Sequence, residues 1–382
     1  MLKNKKIAYL ITQSKYGGAQ RYVLDLASHF QKNNQVVLAV GEKNNQDPDF
    51  FNQVQKRDLR VEIIPSLRRA VDPAANAVGL MEIYKFLKRQ KPDLLHINSS
   101  MAGFIGAIAA FLYNLNPYAS HIRVIYTAHG FVFNEPMSKA KKKFYIFLER
   151  MSASWKHAII AVSHFDKQTA TAAGIKANKI FVIHLGLPTM TQKLSMTEAR
   201  QALGLQPEGI IVGSIASHYP TKDLVTMIKA FTFLPPSLRL AIIGDGTETT
   251  HLQELITTEH LEQRVFLLGA KKNASQYLPA FNLFALSSIK EGLPYALLEA
   301  GQTSLACVAT RVGGIPEIIE DKKTGLLVEV GDPKALAQAI QSLVEQPAQA
   351  STYARALNGK VFNEFSIQSM LQQTEALYER LF

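Results

Sequence analysis

Two glutamates, Glu291 and Glu299, stand in the segment Phe281-Asn-Leu-Phe-Ala-Leu-Ser-Ser-Ile-Lys-Glu-Gly-Leu-Pro-Tyr-Ala-Leu-Leu-Glu-Ala-Gly301. The apolar run at its start reads as a strand ending near Ser287, and Pro294 sits where the first turn of a helix accepts it. Glu291 then falls on the loop before that helix and Glu299 on its second turn. A carboxylate accepts several hydrogen bonds at once, which suits a pair of adjacent sugar hydroxyls. Between the two, Gly292-Leu293-Pro294 leads into a helix start whose N–H groups suit a phosphate. A nucleotide-sugar would span such a site, with hexose at one glutamate, diphosphate at the helix start and ribose at the other. The plainer reading of Glu299 is a solvated helix residue, but Leu297, Leu298 and Ala300 crowd it.

A second place for an anion is Thr12-Gln-Ser-Lys-Tyr-Gly17-Gly18-Ala-Gln20, which follows a short apolar run and opens a helix. Paired glycines let backbone approach a ligand closely. The spacing is not Gly-x-Gly-x-x-Gly, so on its own a glycine-rich turn is the simpler reading.

The elements that position these residues alternate between two periods. Ile7–Ile11, Gln35–Val40, Val61–Ile64, Leu94–Ile97, Val124–Thr127, Ala158–Val162 and Phe181–Ile183 read as short buried strands. Stretches such as Ala19, Tyr22, Val23, Leu26, Ala27 and Phe30 between them have helical spacing. A second series follows: Gly209–Ile215, Leu238–Ile243, Val265–Leu268, Phe281–Leu286, Ala306–Ala309 and Gly325–Val328. Buried strands alternating with helices predict parallel sheets covered on both faces, and two series predict two doubly wound domains. Gly186-Leu-Pro ends the first series, so the boundary is expected near Leu187–Gln192. Ligands of such sheets bind beyond the carboxyl ends of the strands.

Composition agrees with this division. The 382 residues exceed what one core usually supports, about 250–300. With 47% hydrophobic and 19% charged residues, the chain is neither disordered nor collagen-like. Its single cysteine, Cys307, precludes an intrachain disulfide and makes a reducing compartment the default. Ile7–Ile11 is too short for a signal peptide. The longest uncharged stretch, Leu94–Ile122, has an apolar core, Met101–Leu115, of about 15 residues, below the roughly 20 needed to span a bilayer. It reads as a buried helix.

The family resemblance rests on Glu291-Gly-Leu-Pro-x4-Glu299-Ala, then Val312-Gly-Gly-Ile-Pro-Glu-Ile-Ile319 and Gly325-Leu-Leu-Val. Together they resemble a retaining family-4 (group 1) glycosyltransferase. Over nearly the whole chain the match extends to Gly17-Gly18, Thr127-Ala-His129-Gly130, Lys222 and Gly244-Asp-Gly246. Pro65-Ser-Leu-Arg-Arg69, His96-Ile-Asn-Ser-Ser-Met-Ala-Gly103 and His129-Gly-Phe look most like bacterial polysaccharide-biosynthesis members. The resemblance implies an α/β GT-B fold, two Rossmann-like domains facing a central cleft. Residues 1–187 would form the acceptor-side domain and 188–364 the donor-binding domain. Residues 365–382 would form a helix crossing back to the first.

It also implies roles. Glu291 would bind hydroxyls of the donor sugar, Glu299 the ribose, and Lys222 would neutralise the leaving diphosphate in place of a metal ion. His129 would contact the donor sugar. No cofactor or metal is expected, because the donor, a nucleotide-diphosphate sugar with UDP favoured, is a substrate. Attack on the front face of the sugar would retain configuration, the leaving phosphate oxygen taking the acceptor's proton. Relatives commonly carry an arginine where this chain has Ser217, so one diphosphate contact is either missing or supplied by His218 or Arg21. Ala306 replaces a usual proline, which touches packing.

The net charge is +11, yet residues 1–190 hold 26 Lys and Arg against 12 Asp and Glu, a balance of +14. The remaining half is at −3. Within the basic half, Lys139, Lys141, Lys142 and Lys143 precede Phe144, Tyr145, Ile146, Phe147 and Leu148, with Phe144, Phe147 and Leu148 on one helical face. Basic amphipathic helices bind anionic headgroups, although a core-packed helix with a solvated lysine end has the same pattern. With Arg68 and Arg69, this charge points to an anionic membrane surface and a lipid-linked glycan acceptor. The place implied is cytoplasmic, peripheral at the inner face of the plasma membrane. No RNA-binding motif or zinc spacing is present, so nucleic acid is not expected. Two other readings stay open: a nucleotide-sugar epimerase of the same fold, and a catalytically weak paralogue acting as a scaffold in polysaccharide assembly.

Overall fold

The computed structural model describes residues 2–41, 47–68, 72–118, 120–190 and 194–382, so Arg69 and Gln192 lie outside the described residues. The chain divides into two compact units, Met1–Leu185 with Met370–Phe382, and Gly186–Ser369.

The first unit holds β1 (Lys6–Ile11), β2 (Gln35–Val40), β3 (Val61–Ile63), β4 (Leu94–Asn98), β5 (Arg123–Ala128), β6 (Ala158–Ala161) and β7 (Ile180–Val182). They form one parallel sheet in the order β3-β2-β1-β4-β5-β6-β7. The second unit holds β8 (Ile210–Ile215), β9 (Leu238–Ile243), β10 (Val265–Leu267), β11 (Leu283–Leu286), β12 (Ala306–Thr310) and β13 (Leu326–Val328). This sheet is also parallel, in the order β10-β9-β8-β11-β12-β13. Both are doubly wound: strand order reverses between β1 and β4, and between β8 and β11. At such switch points the loops leave in opposite directions and open a crevice for a ligand.

The strands are continuous apolar runs because both faces of each sheet are covered. Tyr9, Leu10, Leu94, Leu95 and Ile125 in the first sheet, and Leu240, Ile242 and Phe284 in the second, are fully buried. Each unit has its own core. Some elements differ in detail from expectation. The strand expected from Phe281 begins at Leu283, because a 3-10 stretch, Ala274–Ala280, ends only at Phe281, where the Phe281 N–H bonds Leu278 O. The Phe281 ring then packs on Gly213, where a Cβ would meet it at 1.9 Å. The helix Ser100–Asn114 is not wholly buried; Phe111 and Leu112 near its end are exposed, as is Leu115 just beyond it.

The chain passes between the units at two neighbouring points. Leu187 N–H bonds Phe365 O at 2.9 Å and Ile367 N–H bonds Leu187 O at 3.0 Å. Gly186 permits this approach, since a Cβ there would lie 2.4 Å from Ser366 O. The last helix, Ile367–Glu379, belongs from Met370 onward to the first unit. There Tyr378 is fully buried and stacks on Phe30 at 4.8 Å. Among the described residues, no helix is long and apolar enough to cross a membrane.

Candidate functional site

In the second unit the switch point is built from the loops leaving β8 and β11. After β11, Ile289 N–H bonds Thr221 O at 2.9 Å and Ser287 Oγ donates to Lys222 O at 3.0 Å. These bonds clamp the short 3-10 turn Pro220–Lys222 against the β11 loop. The clamp brings Lys222 Nζ to 2.6 Å from Glu291 Oε1. Ser288 Oγ donates to the same oxygen at 2.7 Å, and Thr310 Oγ1 in turn donates to Ser288 O at 2.5 Å. Glu291 is the more covered of the pair, with its side chain 10% exposed against 26% for Lys222.

A third loop supports Glu291 from behind. Gly313 has φ +57°, and a Cβ there would lie 1.9 Å from Glu291 O, so only glycine fits. Gly314 N–H bonds Gly292 O at 3.0 Å. Gly292, Leu293 and Pro294 are buried. Pro294 stands immediately before the helix Tyr295–Gln302 rather than within its first turn, because its backbone is extended (ψ 117°). Its carbonyl accepts from Leu297 and Leu298, and no side chain caps the helix start. Glu299 is half-buried on the second turn.

The loops after β8 and β9 are zipped together by backbone. Ala216 N–H bonds Ile243 O, His218 N–H bonds Asp245 O at 2.7 Å, and Glu248 N–H bonds His218 O. Gly244 and Gly246 allow this contact, since Cβ atoms there would sit 1.9 Å from Ala216 O and 2.4 Å from His218 O. Ser217 is the exposed residue of the turn, whereas His218 is buried. Its Nδ1 bonds Thr249 Oγ1 at 2.8 Å, and its Nε2 is enclosed without a partner. Burial pushes the imidazole pKa down. His218 thus braces the loop from inside and presents no atom at its surface.

In the first unit, Gly17 precedes the helix Gly18–Phe30 at the end of the β1 loop, with extended backbone (φ −168°) that any residue adopts. Arg21, near the start of that helix, pairs with Asp25. His129 follows β5 and is half-buried; Gly130, at φ +95°, makes the turn that a side chain would strain. The ring of Tyr22 meets His129 edge-on at 5.0 Å. Burial pushes the His129 pKa down to about 4. His96 lies deeper, with Nδ1 2.5 Å from Tyr378 Oη and Nε2 2.6 Å from Thr127 Oγ1. Burial and the neighbouring His129 hold its pKa down to about 3.

Of the expected site residues, Lys222 and Glu291 are brought into direct contact, and Gly292, Leu293, Pro294 and Glu299 continue from them along one segment. Gly17, Gly18 and His129 lie in the other unit. Arg68 is exposed just after β3. On the helix Lys139–Ala153, Lys141, Lys142 and Lys143 are exposed, as are Phe144 and Phe147 at 55% and 60%. Tyr145 and Ile146 pack instead against the core. Sequence reading did not single out Ser288 or Asn98. Their signal was a polar residue closing an apolar strand.

Comparison with known proteins agrees with this architecture. Residues 16–190 match the model of glycosyltransferase family 4, and residues 195–357 that of glycosyl transferases group 1. The chain is a family-4, group 1 glycosyltransferase. This glycosyltransferase is 27% identical to the UDP-Gal:alpha-D-GlcNAc-diphosphoundecaprenol alpha-1,3-galactosyltransferase of Escherichia coli, over 84% of each chain. It is 32% identical to a 41.2 kDa protein of the cps region of Klebsiella pneumoniae, over 68% of this chain and 72% of that one. In fold it is similar to HepE of Anabaena, solved with UDP and glucose, at TM-score 0.85 and 23% identity, covering 99% and 100% of the chains. The fold is GT-B.

Proposed function

We propose that the protein is a retaining, metal-independent hexosyltransferase. It moves a hexose from a nucleotide-diphosphate sugar, UDP-linked by preference, to a growing lipid-linked cell-surface polysaccharide or glycolipid. The observation that carries this reading is the Lys222–Glu291 pair at the switch point of the second sheet. A cation and a carboxylate held together there match the two ends of a sugar diphosphate, charge at one and hydroxyls at the other.

In this reading Lys222 turns to the diphosphate and stabilises the charge that develops as the bond to the sugar breaks. Glu291, its Oε1 still held by Ser288, offers Oε2 to hydroxyls of the hexose. The segment Gly292-Leu293-Pro294 leads the N–H groups of the next helix to the phosphates, and Glu299 takes the ribose. Gly17 and Gly18 give a close backbone approach, and His129 contacts the sugar. His218 serves the donor through the loop that it braces, with Ser217 at the surface. The acceptor hydroxyl bonds C1 on the face that the phosphate leaves. Its proton passes to the departing phosphate oxygen, so configuration is retained and no carboxylate base is needed.

The acceptor belongs to the basic half. The exposed lysines and phenylalanines of the helix Lys139–Ala153, with Arg68 and Arg69, suit an anionic membrane surface at the inner face of the plasma membrane. The diphosphoundecaprenol in the Escherichia coli relative's name supports a lipid-linked acceptor. The test is a panel of UDP-, GDP- and ADP-sugars assayed for binding, hydrolysis and transfer to a polyprenyl-diphosphate glycan. Transfer with retained configuration in excess EDTA is expected. Absence of binding by every nucleotide-sugar, with or without acceptor lipid, overturns the reading and favours a scaffold.

A further inference from the structure

We infer that Asn98 is a positioning residue that fixes His129 in its Nε2–H tautomer, so that His129 offers Nδ1 as an acceptor to a ligand hydroxyl. The inference rests on the reading above for the identity of the hydroxyl, a sugar's, but not for the tautomer.

Asn98 is the last residue of β4 and is fully buried. Its Nδ2 donates to His96 O at 3.4 Å, which turns Oδ1 toward His129 Nε2 at 3.2 Å. A carboxamide oxygen accepts and cannot donate. His129 Nε2 must therefore carry the hydrogen. The ring is a neutral imidazole near pH 7, because burial opposes its charging. Nδ1 is then left with a lone pair. The partner of one ring nitrogen sets the role of the other.

The surroundings hold this arrangement in place. Tyr22 packs edge-on against His129 and bonds Thr127 Oγ1 at 3.2 Å. Thr127 in turn bonds His96, whose other nitrogen is on Tyr378 from the last helix. Both nitrogens of His96 are occupied, so His96 cannot compete for Asn98 Oδ1. The consequence for chemistry is selective. A lone-pair nitrogen accepts from an O–H, whereas against an anionic phosphate oxygen it would repel. His129 thus reads a hydroxyl, and it is not a proton donor to the leaving group.

The experiment is a long-range proton–nitrogen correlation spectrum of the full chain labelled with 15N-histidine at pH 7, with His129→Gln to assign the resonances. The expected pattern has Nε2 in the protonated range and Nδ1 in the unprotonated range for His129. In Asn98→Asp, whose carboxylate faces Nε2, Nε2 stays in the protonated range, and Nδ1 takes up its proton at a higher pH than in the parent, because a carboxylate beside the ring favours the imidazolium. In Asn98→Ala the two nitrogens move toward averaged shifts. An Nδ1–H pattern in the unaltered protein overturns the inference, as does an unchanged pattern in Asn98→Ala. Should Asn98→Ala fail to fold, the unaltered protein and Asn98→Asp decide it. A kinetic measurement separates positioning from general support. Asn98→Ala should lower kcat of hexose transfer by about tenfold or more, with inhibition by the free nucleoside diphosphate unchanged. The spectrum needs no donor, so failure of the nucleotide-sugar reading leaves the tautomer assignment standing, and the reverse.

Discussion

Lys222 Nζ and Glu291 Oε1 lie 2.6 Å apart across the strand-order reversal of the second sheet. Partly exposed ion pairs contribute only about 0–1 kcal/mol to stability, so this contact matters chiefly for what replaces it when a ligand enters. Lys222→Ala and Glu291→Ala are each expected to lower kcat of transfer by about 100-fold or more while the melting temperature changes little. Parallel loss of melting temperature and activity would show instead that the pair braces the fold.

The backbone behind Glu291 gives a sharper test. Gly313→Ala places a Cβ 1.9 Å from Glu291 O at a left-handed φ, whereas Gly204→Ala at φ +67° meets nothing within 4 Å. Both carry left-handed strain of about 1–2 kcal/mol, but only the first must displace Glu291. Gly313→Ala should lose most of its activity and Gly204→Ala almost none, each measured at saturating donor beside a denaturant melt. Equal activities in the two variants would remove Gly313 from the support of the site.

Two histidines of the first unit, His96 buried and His129 half-buried, predict how stability depends on pH. His96 and His129 have folded pKa values of about 3 and about 4, below the ordinary 6.5. Groups of this kind stabilise the fold above pH 6.5, where both states are neutral. That contribution is lost as pH falls, because the unfolded chain takes up the protons first. Between pH 6.5 and 4 each contributes a slope of about 1.4 kcal/mol per pH unit. Urea midpoints should fall from pH 7 to pH 5, and His96→Gln should flatten that fall. A variant as pH-sensitive as the parent would place the effect elsewhere.

The architecture was legible because parallel strands covered on both faces leave unbroken apolar runs, and each expected strand is present within a few residues. The placement of Glu291 on the loop before a helix and of Glu299 on its second turn was legible from the proline between them. What the sequence concealed was relation at a distance. No local pattern shows that Lys222 reaches Glu291, 69 residues on. Nor does one show that His218 faces inward, since its direction depends on Gly244 and Gly246 admitting the second loop. Asn98 closes an apolar run as many strand-end residues do, and only the fold puts His129 beside it.

The lysine helix is tied down by one buried charge. Lys156 is 1% exposed, 3.3 Å from Glu149 Oε2 and 3.0 Å from Ser152 Oγ, with Nζ 4.0 Å from the centre of the Tyr126 ring. Burial pushes its pKa down while Glu149 opposes the shift. Lys156→Ala strands the Glu149 carboxylate and should cost about 3–5 kcal/mol in denaturant unfolding. The double variant Lys156→Met, Glu149→Gln should recover much of that loss. Failure of the double variant to recover it would mean that shape, not charge, holds the helix.

The proposed membrane docking is tested on the outer face of the same helix. Lys141, Lys142 and Lys143 are exposed beside Phe144 and Phe147, whose rings have no place in the core. A solvated lysine end does not require two exposed phenylalanines, so the face has the composition of an interfacial helix. Each lysine near an anionic surface adds about 1 kcal/mol. Replacing all three with alanine should therefore weaken binding to anionic vesicles by about 100-fold. Salt should weaken the parent more than the variant, because charge attraction is screened within about 8 Å at 0.15 M ionic strength. Phe144→Ser with Phe147→Ser should weaken binding at every salt concentration, since apolar insertion is not screened. Co-sedimentation of the parent and both variants with neutral and anionic vesicles reads these differences directly. If the lysine variant sediments as the parent does, the face is merely solvated and the acceptor is reached by another route.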